Sequence, residues 1–164
     1  MALCSKEKCE LAEELGLHLE QRQQLPPLAS RIYAILVLSS DEGFTFDELI
    51  SITQASKSSV STNVSLLVQL NFVEYYTKPG KRKRYFRGTG NYLLKVLQDY
   101  SQVIDKELSL VSKINQFNKN HNPKKFIRSQ STGTVFQNYL ESQKSNLKAT
   151  LIEMIAFQEE YKDH

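Results

Sequence analysis

The sequence predicts a mainly α-helical protein in which a small helical domain with a two-stranded β hairpin is flanked by helical arms. Three observations lead to this fold class. Two short helical segments stand close together, two β-rich segments flank a turn directly after them, and long amphipathic patterns lie on both sides. The chain has 164 residues, 40% of them hydrophobic and 24% charged. This composition supports one buried core with attached arms and excludes a mostly disordered chain.

The first part of the chain predicts two helices. Residues 5–21 show helical periodicity, with an apolar face that contains Leu11, Leu15 and His18. Pro27 suits the first turn of a second helix, which we expect to run to about Leu38. Because this second helix is apolar on nearly all sides, it belongs at the centre of a domain.

A helix-turn-helix pattern follows. Thr45 and Glu48 have the spacing of a capping box, which predicts a short helix over residues 46–52. Ser56 is a suitable N-cap for the next helix, which we place at 56–70. The short turn between the two helices lacks the glycine that such turns often contain.

A β hairpin is predicted directly after the second of these helices. Residues 72–77 and 84–87 are rich in β-branched and aromatic side chains, and Pro79-Gly80 marks the turn between them. A two-stranded hairpin that follows a helix-turn-helix makes a winged helix, and residues 78–87 are called the wing below. The sequence therefore predicts a winged helix-turn-helix domain over residues 25–90.

Long helical patterns fill residues 91–164. One predicted helix covers 91–117 and has an apolar face of Leu93, Leu97, Tyr100, Ile104, Leu108, Val111 and Ile114. Residues 118–123 form a break, and the basic and polar residues 124–133 predict a flexible stretch. The last helix, 134–161, has the seven-residue repeat of a helix seam, at Leu140, Leu147, Met154 and Tyr161, with Phe136, Gln143, Thr150 and Phe157 interleaved.

The helical arms, residues 1–24 and 91–164, predict dimerisation. A helix of about 27 residues extends roughly 40 Å, which is longer than a small domain can cover. Its apolar stripe would face water in a monomer, whereas a symmetric homodimer buries both copies at once. The alternative is that the arms fold back on their own domain.

Charge is distributed unevenly along the chain, although the net charge is only +3. Residues 1–54 carry 4 basic and 9 acidic side chains, residues 55–90 carry 7 and 1, and residues 91–164 carry 10 and 8. The three net charges are therefore −5, +6 and +2. This distribution predicts a single positive surface for an anionic partner.

The helix at 56–70 has the composition expected of a DNA-reading helix. Three apolar residues fall on one side at about 100° per residue, and the other side has small hydrogen-bonding groups without a carboxylate. Short hydroxyls and an amide can reach base edges and phosphates in the major groove. The candidate DNA-binding residues are Lys57, Ser58, Ser59, Ser61, Thr62, Asn63 and Ser65. The alternative is a merely solvated face.

The wing concentrates six cations within ten residues. Their mutual repulsion is unfavourable unless a polyanion neutralises them, and nucleic acid, an anionic membrane or an acidic protein can do so. On the wing of a helix-turn-helix, duplex DNA fits best. The candidate phosphate contacts are Lys78, Lys81, Arg82, Lys83 and Arg84.

These motifs resemble the DNA-binding domain of MarR-type winged-helix repressors, most of all the GbsR-like subgroup. The resemblance covers residues 26–90 and rests on the segments Leu28–Leu36, Thr45–Leu49, Ser56–Val64, Phe72–Tyr76 and Pro79–Lys83. It implies a homodimer held by helices of both arms, a second motif helix that reads the major groove, and a wing that touches the backbone or minor groove. The chain departs from the family at the turn without glycine and at Lys81, where the family often has an acidic residue.

We therefore predict a cytoplasmic, sequence-specific, double-stranded DNA-binding transcriptional regulator of the repressor type that acts as a homodimer. Carried onto this chain, the resemblance implies that the major groove is contacted by Lys57 through Asn63 and by Ser65. It implies that the contacts of the wing are made by Arg82 and Lys83. The alternative is a winged-helix adaptor that binds proteins and no DNA. A small-molecule effector stays open.

Enzymatic chemistry is not predicted. The basic segment offers a single carboxylate, Glu74, and the three histidines are too far apart in sequence for a metal site. We expect no cofactor and no metal. The longest apolar run, residues 32–38, is far too short to cross a membrane, so we expect no membrane partner.

The two cysteines, Cys4 and Cys9, are five residues apart on the first predicted helix. Side chains with this spacing on a helix do not point the same way, so we expect no internal disulfide. The sequence predicts two reduced thiols and leaves open a disulfide between subunits and a redox role.

Overall fold

The computed structural model describes residues 6–40 and 42–162, with the side chains of all of these except 128–131, 161 and 162. The described part contains the elements α1 (Lys6–Gln23), α2 (Pro27–Val37), β1 (Phe44–Thr45), α3 (Phe46–Thr53), α4 (Lys57–Gln69), β2 (Val73–Thr77), β3 (Arg84–Gly88), α5 (Asn91–His121) and α6 (Pro123–Lys162). They form two compact units, of which the first ends at Asn91 and the second begins at Tyr92.

The first unit is built around α2, as the sequence predicts. This helix contacts α1, α3, α4 and β3, and its residues Ala29, Ile32 and Ala34 are fully buried. Tyr33, also buried, donates a hydrogen bond from its hydroxyl to the carbonyl oxygen of Thr89 at 3.2 Å. The apolar character of α2 on nearly all sides therefore reflects its central position.

α1 packs on α2 through a face that differs from the predicted one. Its buried residues are Ala12, Gly16 and Leu19. The predicted face is largely at the surface, with Leu15 half-buried and Leu11 and His18 exposed. The buried residues follow one another at intervals of four and three residues, so they form a helical face of their own beside the predicted one. Gly16 packs against the backbone of α2, where a Cβ would lie at an ordinary contact distance of 3.7 Å from the Cα of Arg31.

The predicted helix-turn-helix is formed by α3 and α4. The backbone N–H of Glu48 donates to Thr45 Oγ1 at 3.4 Å, and the backbone N–H of Thr45 donates to Glu48 Oε2 at 2.7 Å. These two bonds confirm the capping box. In the turn, Gln54 has a φ of 52°, so it adopts the left-handed conformation that glycine adopts most easily.

The end of α4 directs the chain into the hairpin. Asn71 has a left-handed φ of 57°. The N–H of Phe72 donates to the carbonyl of Leu67, and the N–H of Asn71 donates to the carbonyl of Val68, both at 3.0 Å. This pattern is a Schellman motif, which satisfies the last carbonyls of a helix and stops it.

The sheet has three antiparallel strands in the order β1-β3-β2, one strand more than the predicted two-stranded wing. β2 and β3 form the predicted hairpin, and β1 adds two residues that pair Phe44 with Phe86. A strand of two residues has no periodicity that a sequence pattern could reveal. Gly43 permits the pairing, because its φ is +62° and a Cβ there would lie 1.9 Å from the carbonyl oxygen of Phe86.

The second unit is an antiparallel pair of long helices, α5 and α6. Lys144 Nζ lies 2.7 Å from Asp105 Oδ1. Nearer the connection, Asn115 Nδ2 donates to Gln137 Oε1 at 2.9 Å. These two polar contacts bridge the helices and define their register.

The predicted flexible stretch, residues 124–133, is wrong, because these residues belong to α6. Pro123 begins this helix, where its fixed φ and missing N–H are well tolerated. Lysine and arginine are good helix formers, so a basic composition does not oppose a helix. Only Asn122 interrupts the helical structure between α5 and α6.

The seven-residue repeat of α6 is confirmed in part. Leu140 is buried, and Leu147 and Met154 are half-buried, whereas the side chain of Tyr161 lies outside the described residues. Of the interleaved residues, Gln143 and Thr150 are half-buried, whereas Phe136 and Phe157 are exposed. Because a seam between subunits would cover residues that are exposed in one chain, the place of Phe136 and Phe157 in such a seam stays a prediction.

α5 has apolar residues on two sides, where the sequence predicts a single face. Ile104, Leu108 and Val111 are half-buried on the side that carries Asn115. A second set is exposed and is called the exposed stripe of α5: Tyr100, Val103, Leu110, Ile114 and Phe117. At about 100° per residue this stripe lies roughly a quarter turn from the half-buried side.

Cys9, on α1, is disulfide-bonded, which corrects the prediction of a reduced thiol. That prediction assumed that both cysteines lie on one helix, and α1 is described only from Lys6 onward. Cys4, the other cysteine of the chain, lies outside the described residues.

Candidate nucleic-acid interface

α4 buries one side and exposes the other. The buried residues are Val60, Val64 and Leu67, as the sequence predicts. Among the candidate groove residues, Asn63 is half-buried, and the exposed ones are Lys57, Ser58, Ser59, Ser61, Thr62 and Ser65. The outer side of α4 therefore presents one lysine, several hydroxyls and an amide, and no residue of this helix is acidic.

Hydrogen bonds within α4 orient several of these side chains. Ser56, the N-cap, accepts from the backbone N–H of Ser59 at 3.2 Å. Thr62 Oγ1 donates to the carbonyl of Ser58 at 3.1 Å, and Asn63 Nδ2 donates to the carbonyl of Ser59 at 2.8 Å. Because both donors are directed at the helix backbone, the Thr62 hydroxyl and the Asn63 amide retain oxygen acceptors for an outside partner.

Half of the wing cations form ion pairs with carboxylates of the first unit. The three pairs, each with an N–O distance of 2.8 Å or less, are Lys78–Glu42, Lys83–Asp47 and Arg87–Glu74. Lys81 and Arg82, which lie between β2 and β3, form no ion pair with any described residue. These two exposed side chains can bind an anion without first losing a protein partner.

Three wing cations also lie over aromatic rings, among them Arg87, whose guanidinium is 5.1 Å from the ring centroid of Tyr76. Lys78 Nζ is 4.4 Å from the ring centroid of Tyr85, and the Arg84 guanidinium is 4.7 Å from that of Tyr75. Such cation–π contacts hold a charged side chain close to the sheet. Only 23% of the Lys78 side chain is exposed, compared with 63% for Lys83.

Asp47 connects the wing with α4. Its hydrogen bond with Lys83 and the charge of that lysine hold the pKa of the Asp47 carboxyl below its ordinary value, and the charge of Lys57 acts in the same direction. The same hydrogen bond raises the pKa of Lys83. The charges of Lys83 on the wing and of Lys57, the first residue of α4, therefore both act on the Asp47 carboxyl.

No sequence pattern predicted these ion pairs. Asp47 precedes Lys83 by 36 residues, and both Glu42 and Asp47 belong to the acidic segment 1–54. The fold brings the two segments together. The positive surface is therefore smaller than the segment charges predict, and Lys78 and Lys83 remain predicted phosphate contacts that already have a carboxylate partner.

No family model matches the chain. Over 78 residues it is 35% identical to the HTH-type transcriptional regulator MmpR5 of Mycobacterium tuberculosis, a match that covers 48% of this chain and 47% of MmpR5. The chain thus spans about half the length of this relative.

The fold is similar to that of a transcriptional regulator of known crystal structure, with a TM-score of 0.53 and 21% identity over 92% of this chain and 99% of the other. A weaker similarity, with a TM-score of 0.43 and 16% identity, covers 77% of this chain and 92% of MepR, a transcription regulator of the Staphylococcus aureus multidrug efflux pump MepA. The first similarity, together with the helix-turn-helix and the hairpin, confirms the predicted mainly α-helical winged-helix fold.

Neither a membrane span nor a metal centre is found in residues 6–40 and 42–162. No helix there is both long and apolar enough to cross a bilayer. No group of three or more metal-ligating side chains converges in this part of the chain.

Proposed function

We propose that the protein is a transcriptional regulator that binds duplex DNA as a homodimer and acts as a repressor in the cytoplasm. α4 enters the major groove with Lys57, Ser58, Ser59, Ser61, Thr62, Asn63 and Ser65. The wing contacts the backbone or minor groove. The observation that carries this proposal is the outer side of α4, which offers small donors and acceptors and no carboxylate, beside a cationic wing.

The similarity to MmpR5, which is named as an HTH-type transcriptional regulator, supports the same conclusion. Membership of the MarR-type regulators, and of their GbsR-like subgroup, is part of the proposal and rests on the motifs of residues 26–90. A small-molecule effector stays a prediction.

The homodimer is proposed from the exposed stripe of α5. Five large apolar side chains along one side of a helix form the kind of surface that marks an interaction site. The successive residues of the stripe are separated by three, seven, four and three positions. These intervals fit the heptad spacing of a helix–helix seam. The residues are Tyr100, Val103, Leu110, Ile114 and Phe117. A second copy of the chain provides the same spacing, so a two-fold axis covers both stripes.

The test is a fluorescence-anisotropy titration of the full chain against a pool of random duplex DNA at several salt concentrations, followed by sequencing of the bound duplexes. If each subunit neutralises about 3–5 phosphates, the dimer shows a log–log salt slope of about −5 to −9. The enriched sequence has two-fold symmetry, with half-sites about one helical turn apart. Absence of salt-dependent binding contradicts the proposal and favours the protein-interaction adaptor.

Two substitutions separate the roles of the wing and α4. Arg82→Ala removes a phosphate contact, so we expect weaker binding to all duplexes alike and a shallower salt slope. Asn63→Ala removes a base-reading amide, so we expect an altered sequence preference. Lys119→Ala, an exposed lysine of α5 on the side opposite the exposed stripe, is the matched control and leaves both quantities unchanged. The roles are inverted if Arg82→Ala changes the preference and Asn63→Ala weakens all binding equally.

A further inference from the structure

Two carboxylates that precede α4 in the sequence form ion pairs with wing cations that belong to the proposed DNA contact. The Asp47 carboxylate lies 2.8 Å from Lys83 Nζ, and the Glu42 carboxylate lies 2.8 Å from Lys78 Nζ. Neither carboxylate is required for the capping of α3, which Thr45 and Glu48 provide. Asp47 and Glu42 are therefore acidic residues placed at the proposed DNA surface without a structural role in that helix cap.

We propose that Asp47, and to a smaller extent Glu42, limits the affinity of the protein for duplex DNA by competing with phosphate for Lys83 and Lys78. This inference rests on the proposed function and adds to it two residues that weaken the contact. In the free protein each carboxylate occupies the position that a DNA phosphate would take at its lysine. Binding through that lysine must first exchange one anion for the other, so the exchange releases fewer counterions than binding by an unpaired lysine.

The size of the effect follows from the exposure of the pairs. Both partners of the Lys83–Asp47 pair are more than half exposed, at 63% and 70%. Exposed pairs of this kind are weak, so removal of the carboxylate strengthens DNA binding by about two- to fivefold per subunit. In a homodimer the two contributions multiply, which gives about 4- to 25-fold. The salt slope becomes steeper by up to about 0.9 per subunit, because one more cation neutralises a phosphate.

Removal of the Asp47 carboxylate should increase the DNA affinity more than removal of the Glu42 carboxylate. Lys83 has no aromatic partner in the described cation–π contacts, so the loss of Asp47 leaves it free to reach a phosphate. Lys78 is only 23% exposed and still lies over Tyr85 when Glu42 is removed. The backbone carbonyl of Glu42 also accepts a hydrogen bond from the Tyr76 hydroxyl at 3.0 Å, and this bond survives substitution of the side chain. We therefore expect Glu42→Gln to have a smaller effect than Asp47→Asn.

The experiment measures affinity and salt slope for a random-sequence duplex with the full-length wild type, Asp47→Asn and Glu42→Gln. The matched control is Glu13→Gln, which removes the same charge from an exposed ion pair with Arg31 elsewhere in the first unit. A thermal melt of each variant verifies folding, since Asp47 lies in the first turn of α3 and Glu42 lies outside any helix. We expect Asp47→Asn to bind DNA most tightly and Glu42→Gln to bind less tightly than Asp47→Asn but more tightly than the wild type. Glu13→Gln should have the affinity of the wild type.

A double mutant shows whether Asp47 acts through Lys83. In the Lys83→Gln background, Asp47→Asn should change neither the affinity nor the salt slope. If it raises the affinity there as much as in the wild type, Asp47 acts by long-range repulsion of DNA and the inference is wrong. The inference also fails if Asp47→Asn and Glu13→Gln bind alike while the wild type shows salt-dependent binding. If the wild type shows no such binding, the proposed function itself fails, and the inference fails with it.

Discussion

The two units of the chain bury apolar surface to very different extents. Among the described residues, every buried apolar side chain except Tyr92 and Leu140 belongs to the first unit. There, helices and strands surround α2 on several sides. In the second unit, two helices shelter only one side of each other, and large apolar side chains are exposed along both α5 and α6.

This difference separates two sources of stability. The first unit has a core of its own, so its stability depends on how well its own side chains pack. A pair of helices encloses no such core, and its exposed apolar side chains gain free energy only when another surface covers them. Substitutions of the same chemical type should therefore affect folding in the first unit and assembly in the second.

The largest expected effect is that of Leu67→Ala in α4. Leu67 is fully buried, so truncation leaves a cavity and lowers the free energy of unfolding by about 2–5 kcal/mol. Leu110→Ala in α5 is the matched change at a side chain that is 55% exposed, and it should lower the stability of the subunit by less than about 1 kcal/mol. Urea unfolding monitored by circular dichroism at low protein concentration compares the two. Equal losses would contradict the contrast between the units.

A smaller effect is expected on assembly. Leu110→Ala should raise the dissociation constant of the homodimer by about 10- to 100-fold, because two copies of the side chain lose apolar contact at the interface. Sedimentation equilibrium measures this constant, and Lys119→Ala, an exposed lysine on the opposite side of α5, is the control. An unchanged constant in both Leu110→Ala and Ile114→Ala would exclude the exposed stripe as the dimer interface.

The same contrast explains which parts of the fold could be predicted. In the first unit, local signals were sufficient: Thr45 with Glu48 marked the start of α3, Ser56 marked the start of α4, and Pro79-Gly80 marked the hairpin. Each of these signals acts within four residues, so the sequence contains it in full. The two-residue strand β1 could not be predicted, because it depends on pairing with β3 more than 40 residues later.

The buried side of a helix was harder to predict from the sequence than the helix itself. On α1 the buried side carries Ala12, Gly16 and Leu19 instead of the predicted face, because the packing surface of α2 determines which side of α1 is covered. On α5 the apolar residues serve two sides, and a periodicity summed along the helix merges them into one. A single sequence shows where apolar residues lie on a helix, but the partner surface determines which of them are buried.

In the candidate site, too, features set by local spacing could be predicted, and contacts between residues distant in sequence could not. The outer side of α4 followed directly from helical spacing, since Val60, Val64 and Leu67 define the inner side. The pairing of Lys83 with Asp47 did not, because attraction between residues distant in sequence depends on the fold. Charge segregation along a chain is therefore a poor measure of charge segregation in space.

The smallest expected effect is the loss of stability when the N-cap of α3, in the first unit, is removed. Thr45→Ala should lower the free energy of unfolding at pH 7 by about 1 kcal/mol, the usual loss for an N-cap hydroxyl. Thr45→Ser keeps the hydroxyl and is the control. Urea titrations of the three proteins measure the difference, and an Ala variant as stable as wild type would show that the cap contributes nothing.

The pH dependence of this difference follows from Glu48. The backbone N–H and then the hydroxyl of Thr45 donate to its carboxylate and lower its pKa from the ordinary value. A group whose pKa is lower in the folded state stabilises the fold above its unfolded pKa and loses that contribution as the pH falls through its folded pKa. Thr45→Ala keeps the backbone N–H of residue 45 and loses only the hydroxyl donor to Glu48. The gap between wild type and this variant should therefore narrow between about pH 5 and pH 3 by the contribution of the hydroxyl alone. It should not close, because the N–H of Glu48 still donates to Thr45 Oγ1 when the carboxyl is protonated. A gap that stays constant over this range would show that the Thr45 hydroxyl does not donate to the Glu48 carboxylate in solution.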